Sequence, residues 1–276
     1  MHRFFSVTAN AIALRSLLRS VVQYRELLWE MTRRDLVERQ AGLAFAGFWI
    51  IGQPLLMMLV YVFVFSFIFD VRLSVSGSRL DYTAFLLAGL VPWLAFQEAI
   101  GRAPTCIVDN RSLIKQIVFP IEIVPLKLVL STLVVLAIGL AFPLILTAYN
   151  ATAKPLAWLL LPVPILCHLA LTIGLAFAFA ATGVFLRDIR NVVQLGLMIG
   201  LFVHPILYVP NMLPKWVNML FLLSPFSHVI YIYRDVIFGE FSHDLSWFVA
   251  PVISCLILMI GFRTFQSLRH KFGDAL

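Results

Sequence analysis

Long apolar segments with almost no charge alternate with short basic segments along this chain of 276 residues. The clearest apolar segment, 156–186, contains no Lys, Arg, Asp or Glu. A helix needs only about 20 apolar residues to cross the hydrocarbon core of a bilayer. Similar segments fill the chain from residue 43 to residue 262. The pattern therefore predicts an all-α polytopic membrane protein with no room for a separate soluble domain.

Six transmembrane helices are predicted, with limits set by charges and by turn residues. The predicted spans are 43–69, 82–101, 121–149, 156–186, 191–209 and 244–262. The region 210–240 is apolar but is interrupted by Ser224-Pro225, where a straight span would break. Irregular backbone at membrane depth is tolerated only inside protein or beside water. We therefore expect outer re-entrant helices in 210–240, with two true spans as the alternative.

The N-terminal segment, 1–42, precedes the first predicted span. Within it, Val21, Tyr24, Leu28 and Met31 recur at helical spacing and indicate an amphipathic helix over 21–41. This helix is expected to lie at the membrane interface, or to pack on a partner outside the membrane.

Charge sets the expected orientation. The chain is 61% hydrophobic and 13% charged, and its net charge is +7. The basic residues flank apolar segments and do not form a stripe, which favours a topological role over nucleic-acid binding. Of the 21 basic residues, 15 lie in 1–42, 102–118, 187–190 and 263–276. With six spans, this asymmetry places both termini and these segments in the cytoplasm.

Sequence motifs for enzyme chemistry are missing. There is no Gly-Lys dipeptide and hence no phosphate-binding P-loop, so any ATP would be bound by another chain. No HExxH motif or paired-cysteine zinc site occurs. We therefore predict no catalytic residue, no metal site and no cofactor in this chain. The ionisable residues within spans, Glu98, Glu122 and Lys127, lie near span ends, which argues against a proton- or sodium-coupled carrier.

Aromatic residues gather where prolines interrupt the predicted spans. Their rings could stack on sugar rings along a carbohydrate path, or they could form the ordinary aromatic belt of a membrane interface. The residues are Trp93, Phe96, Tyr208, Trp216, Phe226 and Tyr231.

Several short motifs, in this order and spacing, resemble the permease subunits of ABC-2 type polysaccharide exporters, the family of O-antigen, capsule and teichoic acid exporters. The resemblance covers about 25–240. The motifs are Leu28-Trp29-Glu30-Met31-Thr32-Arg33-Arg34-Asp35-Leu36, Gln53-Pro54-Leu55-Leu56-Met57, Phe85-Leu86-Leu87-Ala88-Gly89-Leu90-Val91-Pro92-Trp93, Asn110-Arg111-Ser112-Leu113-Ile114-Lys115, Phe119-Pro120, Gly183-Val184-Phe185-Leu186-Arg187-Asp188-Ile189, His204-Pro205-Ile206-Leu207-Tyr208 and Ser224-Pro225-Phe226. His204 departs from the small or aromatic residue usual in that family.

The resemblance implies a homodimer in the bacterial inner membrane with two copies of a separate ATPase that bind ATP and Mg. It implies six spans with re-entrant helices on the outer side. The exported species would be a polysaccharide, often linked to undecaprenyl pyrophosphate. A drug or lipid exporter of the same architecture, or a membrane enzyme acting on lipid-linked sugars, are the alternatives.

Two further sets of residues receive roles from this resemblance. The loop after the second span would transmit ATPase motion, and its candidates are Arg102, Asp109, Asn110, Leu113, Ile114 and Lys115. Arginine forks match phosphate oxygens, so Arg33, Arg34 and Arg102 are candidates to receive the lipid pyrophosphate. For the loop, the alternative is an ordinary solvated loop. For the three arginines, the alternative is positive charge that only sets the membrane topology.

Overall fold

The computed structural model describes residues 7–38, 46–68, 79–116, 120–150, 154–208 and 214–275. These residues are helical wherever they are regular, and they contain no strand. The α-helices are α1 (Val7–Gln23), α2 (Arg25–Glu38), α3 (Ala46–Phe63), α4 (Arg79–Arg102), α5 (Cys106–Asp109), α6 (Arg111–Gln116), α7 (Ile123–Tyr149), α8 (Pro162–Phe185), α9 (Ile189–Val203), α10 (Lys215–Leu223), α11 (Pro225–Phe238), α12 (Asp244–Leu268) and α13 (Phe272–Ala275).

Within the described ranges, five stretches are long and apolar enough to cross a bilayer. They are Phe48–Ile68, Leu80–Arg102, Ile123–Tyr149, Ala157–Gly183 and Asp244–Lys271. The pair α10 and α11 would make a sixth span if counted as one, but the two helices are bent by 101° at Ser224. The expected all-helical polytopic class is confirmed, and the bend excludes a straight helix through 214–238.

The helix in the region of the fifth predicted span is shorter than expected. Helix α9 has 15 residues and stops at Val203, not at 209. Its length is about 22 Å at 1.5 Å per residue, less than the ~30 Å of a bilayer core. The cause is Pro205, because the residue before a proline is driven out of helical geometry. His204 is accordingly extended, with φ −95° and ψ 156°.

The N-terminal segment also differs from the expectation of one helix over 21–41. Two helices, α1 and α2, meet at Tyr24, and α1 begins as early as Val7. In α1, Leu17 is buried, whereas Leu18 and Val22 are exposed. Residues 39–41, the end of the predicted helix, lie outside the described residues.

Helices α8 and α12 pack closely against each other. A Cβ atom on Gly174 would come within 2.5 Å of the carbonyl oxygen of Ile257, so only a glycine permits this approach. Beside this contact, Phe177 packs edge to face on Phe262 and Phe265, at ring-centroid distances of 5.1 and 5.0 Å. Tight backbone packing and interlocked rings make this pair a rigid support for the other helices.

Side chains satisfy the backbone where α9 gives way to non-helical chain. The Tyr82 hydroxyl donates to the carbonyl of Leu207 (3.2 Å), and Nη2 of Arg234 donates to that of Ile206 (2.9 Å). The Arg234 guanidinium also lies 3.6 Å from the centre of the Phe85 ring. These contacts explain how non-helical chain survives beside spanning helices, where an unsatisfied carbonyl would be costly.

Candidate functional site

One end of the bundle carries Arg102, Arg187, Arg190 and Arg269, and we call this end the basic face. A polar cleft opens there. Its volume is about 640 Å³, and α2, α3, α4, α7 and α9 supply its walls. The amides of Gln53, Gln97 and Gln194 line it together with Glu98, Arg102, Thr105 and Arg190, so we call it the amide cleft. Its other walls are apolar, with Pro54, Met57, Met58, Leu94, Val134 and Val135. Such a lining suits a ligand with both hydroxyl and aliphatic parts.

Asp35 of α2 closes one side of this region through a three-residue contact. Arg102 donates to it twice, from Nη2 to Oδ1 (2.7 Å) and from Nη1 to Oδ2 (3.1 Å), and Ser131 donates from Oγ to Oδ2 (2.8 Å). We call this contact the Asp35 clamp. The Asp35 side chain is 6% exposed and that of Arg102 is 41% exposed. The clamp ties α2 to α4 and α7, so these three helices are expected to move together.

The other ionisable residues near the basic face have separate partners. Lys127 donates to Oδ1 of Asn110 (3.1 Å), and the amide of Asn110 donates to the carbonyl of Cys106 (2.7 Å). Glu122 pairs with Arg269 at the end of the chain, so Glu122 and Lys127 do not pair with each other. In the same loop, burial raises the pKa of the Cys106 thiol to about 12. Cys106 is therefore an inert packing residue and no nucleophile.

The loop after α4 forms a second, more open depression. Its volume is about 320 Å³, and the charged side chains that line it among the described residues are those of Arg111, Arg187, Arg190 and Asp109. We call it the arginine groove. In its wall the backbone at Gly183 lies directly against that of Pro104, because a Cβ atom on Gly183 would overlap the carbonyl of Pro104. Arg190 and Thr105 line both the arginine groove and the amide cleft, so the two depressions are adjacent.

The loop residues proposed for coupling fall into two groups. Arg102 and Asn110 hold the loop to the bundle through the contacts given above, and Asp109 is exposed in the arginine groove. Leu113 and Ile114 are half-buried and pack against the chain's own core. The side chain of Lys115 lies outside the described residues. The predicted coupling role stays a prediction, with Val108, exposed beside Asp109, as an additional candidate that the sequence reasoning missed.

The three arginines proposed to receive a pyrophosphate are not brought together. Arg102 lines the amide cleft but is held by Asp35. Arg34 is exposed and pairs with Glu30 at 3.4 Å, and Arg33 is exposed outside the cleft lining. Arg190, which the sequence reasoning left out, lines the cleft. The only sequence signal for it was its position in the short loop between two spans.

Three of the proposed sugar-path aromatics form one buried cluster. Trp93, Phe96 and Phe226 have ring centroids 4.5 to 5.5 Å apart, and the His204 ring lies 4.8 Å from Trp93. His204 also bonds to Ser224 across 2.7 Å, which joins the end of α9 to the bend before α11.

The other aromatics lie apart from that cluster. Tyr231 stacks on His243 with ring centroids 4.4 Å apart, and Tyr208 lies parallel to Phe221. Trp216 is exposed. Their sugar-binding role stays a prediction, and for Trp93, Phe96, Phe226 and Tyr231 it would require the buried rings to become accessible.

The described part of the chain contains no group of His, Cys, Asp and Glu residues that could hold a metal ion. A bundle of spanning helices with a polar cleft at its basic face has the organisation of a membrane transport subunit. Residues 26–238 match the model of the ABC-2 type transporter family, so the chain belongs to that family. The resemblance inferred from the sequence motifs is thereby confirmed.

Relatives with assigned names cover almost the whole chain. The chain is 27% identical over 256 residues to the O-antigen export system permease protein RfbA of Klebsiella pneumoniae, with 91% of this chain and 95% of the relative covered. It is 28% identical over 266 residues to a protein of the same name from Myxococcus xanthus, with 94% and 99% covered. The polysialic acid transport protein KpsM of Escherichia coli is 22% identical over 243 residues, with 85% and 90% covered.

Proposed function

We propose that the chain is the permease subunit of an ATP-driven exporter that carries a cell-surface polysaccharide, such as a lipid-linked O-antigen, across the bacterial inner membrane. The observation that carries this proposal is the near full-length similarity to permeases named for O-antigen export and polysialic acid transport. The amide cleft is consistent with it, because amide groups both donate and accept hydrogen bonds and therefore match sugar hydroxyls.

In this function the basic face is cytoplasmic and the bend at Ser224 lies toward the outer side. The substrate is received at the amide cleft, since this cleft is bordered by two helices with exposed apolar faces. In the most apolar stretch of Phe48–Ile68, only 11% of the residues are buried within the chain. Helix α9 likewise exposes Val192, Leu195, Met198 and Phe202. We propose that two copies of the chain face each other across these surfaces, and that lipid covers what the dimer leaves exposed.

ATP is used by a separate ATPase, present in two copies, that docks on the basic face. The loop 102–116 meets it, and the Asp35 clamp passes its motion to α2, α4 and α7 together. This division of labour accounts for a permease without a P-loop. In nanodiscs, the purified chain should show no ATP hydrolysis above background until the partner ATPase is added. Turnover by the chain alone would contradict the proposal.

Export itself is tested by deleting the chromosomal copy and measuring surface polysaccharide by immunoblot. The wild-type chain should restore the surface signal, and a strain that lacks the partner ATPase should accumulate the polymer inside the cell. A chain that restores resistance to a hydrophobic drug but no surface polysaccharide would identify the drug-exporter alternative.

The coupling loop is tested with Leu113→Asp combined with Ile114→Asp. The proposed docking role predicts loss of ATPase binding and of export. Because both side chains are half-buried against the core, the double variant is also expected to be destabilised. Thermal stability of the purified variant therefore has to be measured in parallel. Wild-type ATPase binding by a folded double variant would remove these two residues from the docking surface.

A further inference from the structure

The last described residues of the chain, Arg269–Ala275, form a short helical segment at the basic face that we call the tail. The tail follows α12 and consists of one 3₁₀ turn, Arg269–Lys271, and of α13. It is far from the loop 102–116 in sequence, but it contacts the same two helices, α7 and α8, on which that loop rests.

Phe272 attaches the tail to the end of α8. Its side chain is fully buried, and its ring centroid lies 5.5 Å from that of Phe265 on α12 and 6.0 Å from that of Phe185. Phe185 is the last residue of α8 and precedes the loop that carries Arg187 and Arg190. Packing of one buried ring against two others is a strong apolar attachment, so the tail is fixed beside that loop.

Arg269 attaches the tail to the beginning of α7. Its guanidinium pairs with Glu122, the N-cap residue of α7, whose side chain is only 10% exposed. Little more than one turn further along α7, Lys127 donates to Asn110 of the loop after α4. The first turns of α7 therefore hold both the tail and that loop.

The tail also supplies part of the wall of the arginine groove. Ala275 is exposed and lines the groove together with Asp109 and Arg111 of the loop after α4. Arg187 and Arg190 of the loop after α8 complete its charged lining among the described residues. The groove is thus built by two loops of the basic face and by the tail.

The charges of the groove favour an acidic partner. Among the described residues that line it, three arginines accompany one carboxylate, that of Asp109. The sequence of the tail contains two Lys or Arg residues and one Asp, so the tail does not reverse this sign. Opposite charges across an interface steer a partner and fix its orientation. Because one wall of the groove belongs to the loop that is proposed to meet the ATPase, an acidic segment of that ATPase fits the groove.

We propose that the tail is part of the docking surface for the ATPase, and that an acidic segment of the ATPase binds in the arginine groove between the tail and the loop after α4. Phe272 is the positioning residue that holds the tail there. The ATPase then contacts two units of the bundle, the closely packed α8–α12 pair through the tail and the α2, α4 and α7 group through the Asp35 clamp. The proposal rests on the proposed export function and adds an element to the surface that meets the ATPase.

The test measures the affinity between the chain in nanodiscs and the P-loop ATPase that co-purifies with the wild-type chain. Ala275→Glu places a carboxylate in the groove and should raise the Kd at least about tenfold, because it opposes an acidic partner. Ala275→Gln adds a side chain of the same size without the charge and should bind nearly as tightly as wild type. Ala275 is exposed, so these variants probe the surface without disturbing the core.

The matched control is Gly273→Glu, which adds the same charge to the same short helix. Gly273 does not line the groove, and a Cβ atom there would meet nothing within 4 Å. This variant should bind the ATPase like wild type. Equal losses in Gly273→Glu and Ala275→Glu would place the effect outside the groove and overturn the proposed seat of the ATPase.

Two other results would also contradict the proposal. A wild-type Kd in Ala275→Glu would remove the tail from the docking surface. Equal losses in Ala275→Glu and Ala275→Gln would show that size and not charge matters, and would overturn the acidic partner.

The positioning role of Phe272 is tested by Phe272→Ala and Phe272→Leu, with thermal stability measured in parallel. Phe272→Ala should weaken ATPase binding and make it less sensitive to salt, because the displaced tail no longer closes the charged groove. Phe272→Leu keeps most of the apolar volume and should bind more like wild type. A folded Phe272→Ala variant with the Kd and the salt dependence of wild type would overturn this role.

Export of surface polysaccharide distinguishes this inference from the proposed function. The inference predicts weaker export with Ala275→Glu than with Gly273→Glu. Wild-type export together with wild-type ATPase binding by Ala275→Glu would reject the tail and leave the export function standing. If no P-loop ATPase co-purifies with the wild-type chain and the chain restores no surface polysaccharide, the export function itself is rejected.

Discussion

The Asp35 clamp makes an asymmetric prediction for two alanine substitutions. Breaking a buried ion pair by removing one partner costs about 3–5 kcal/mol, because the remaining charge is left uncompensated. Arg102→Ala leaves a carboxylate that is only 6% exposed, so we expect a loss of about 3 kcal/mol in the free energy of unfolding. Asp35→Ala leaves a guanidinium that is 41% exposed and can be hydrated, so we expect about 1 kcal/mol.

The assay is reversible unfolding of the purified chain in mixed micelles, followed by tryptophan fluorescence. The double variant, Arg102→Ala with Asp35→Ala, should be more stable than the sum of the single effects implies, since the buried carboxylate that lost its guanidinium is removed as well. Ser131→Ala is the smaller perturbation and should cost about 1 kcal/mol, the value of one hydrogen bond. Equal losses from the two single variants, or strict additivity, would refute the reasoning from exposure.

Three further predictions concern topology, docking and packing. Reporter fusions after residue 115 and at the C-terminus should report the cytoplasm, and one near Lys215 should report the outer side; an external C-terminus would overturn the orientation. Val108→Asp should weaken ATPase retention in pull-down experiments at unchanged thermal stability, because this exposed side chain lies in the arginine groove; full retention would remove the groove from the docking surface. Gly174→Ala should destabilise the chain by about 1–3 kcal/mol through overpacking, whereas Gly196→Ala, with nothing within 4 Å, should be neutral or stabilising; equal effects would argue against tight packing at Gly174.

The sequence was sufficient for most of the fold, because long uncharged segments have few alternatives to spanning helices. The shorter α9 was predictable in principle, since Pro205 disfavours helical geometry at His204, but the prediction extended the span to 209. Helix α1 was missed because Arg15 and Arg19 interrupt its apolar residues. A short helix interrupted by arginines and an irregular basic segment show a similar mixture of apolar and basic residues in the sequence.

The contacts of the candidate site were less predictable. Asp35 and Arg102 are 67 residues apart, and no local pattern connects them. Arg102 was predicted to act in coupling and in pyrophosphate binding, and these roles stay predictions. Its partner Asp35 could come only from the packing of α2 against α4 and α7. The same limit applies to Glu122, whose partner Arg269 lies 147 residues away.

The hydrogen bonds around the end of α9 give this end of the bundle a junction that can be adjusted one contact at a time. The α8–α12 pair can open only by separating backbones, whereas the junction of α9, α10 and α11 is held by side chains such as Tyr82, His204 and Arg234. Each such bond contributes roughly 1 kcal/mol, so partners can be exchanged without melting a helix. Evolution could therefore retune how readily this end of the protein rearranges through single side-chain replacements, while the helical scaffold stays the same.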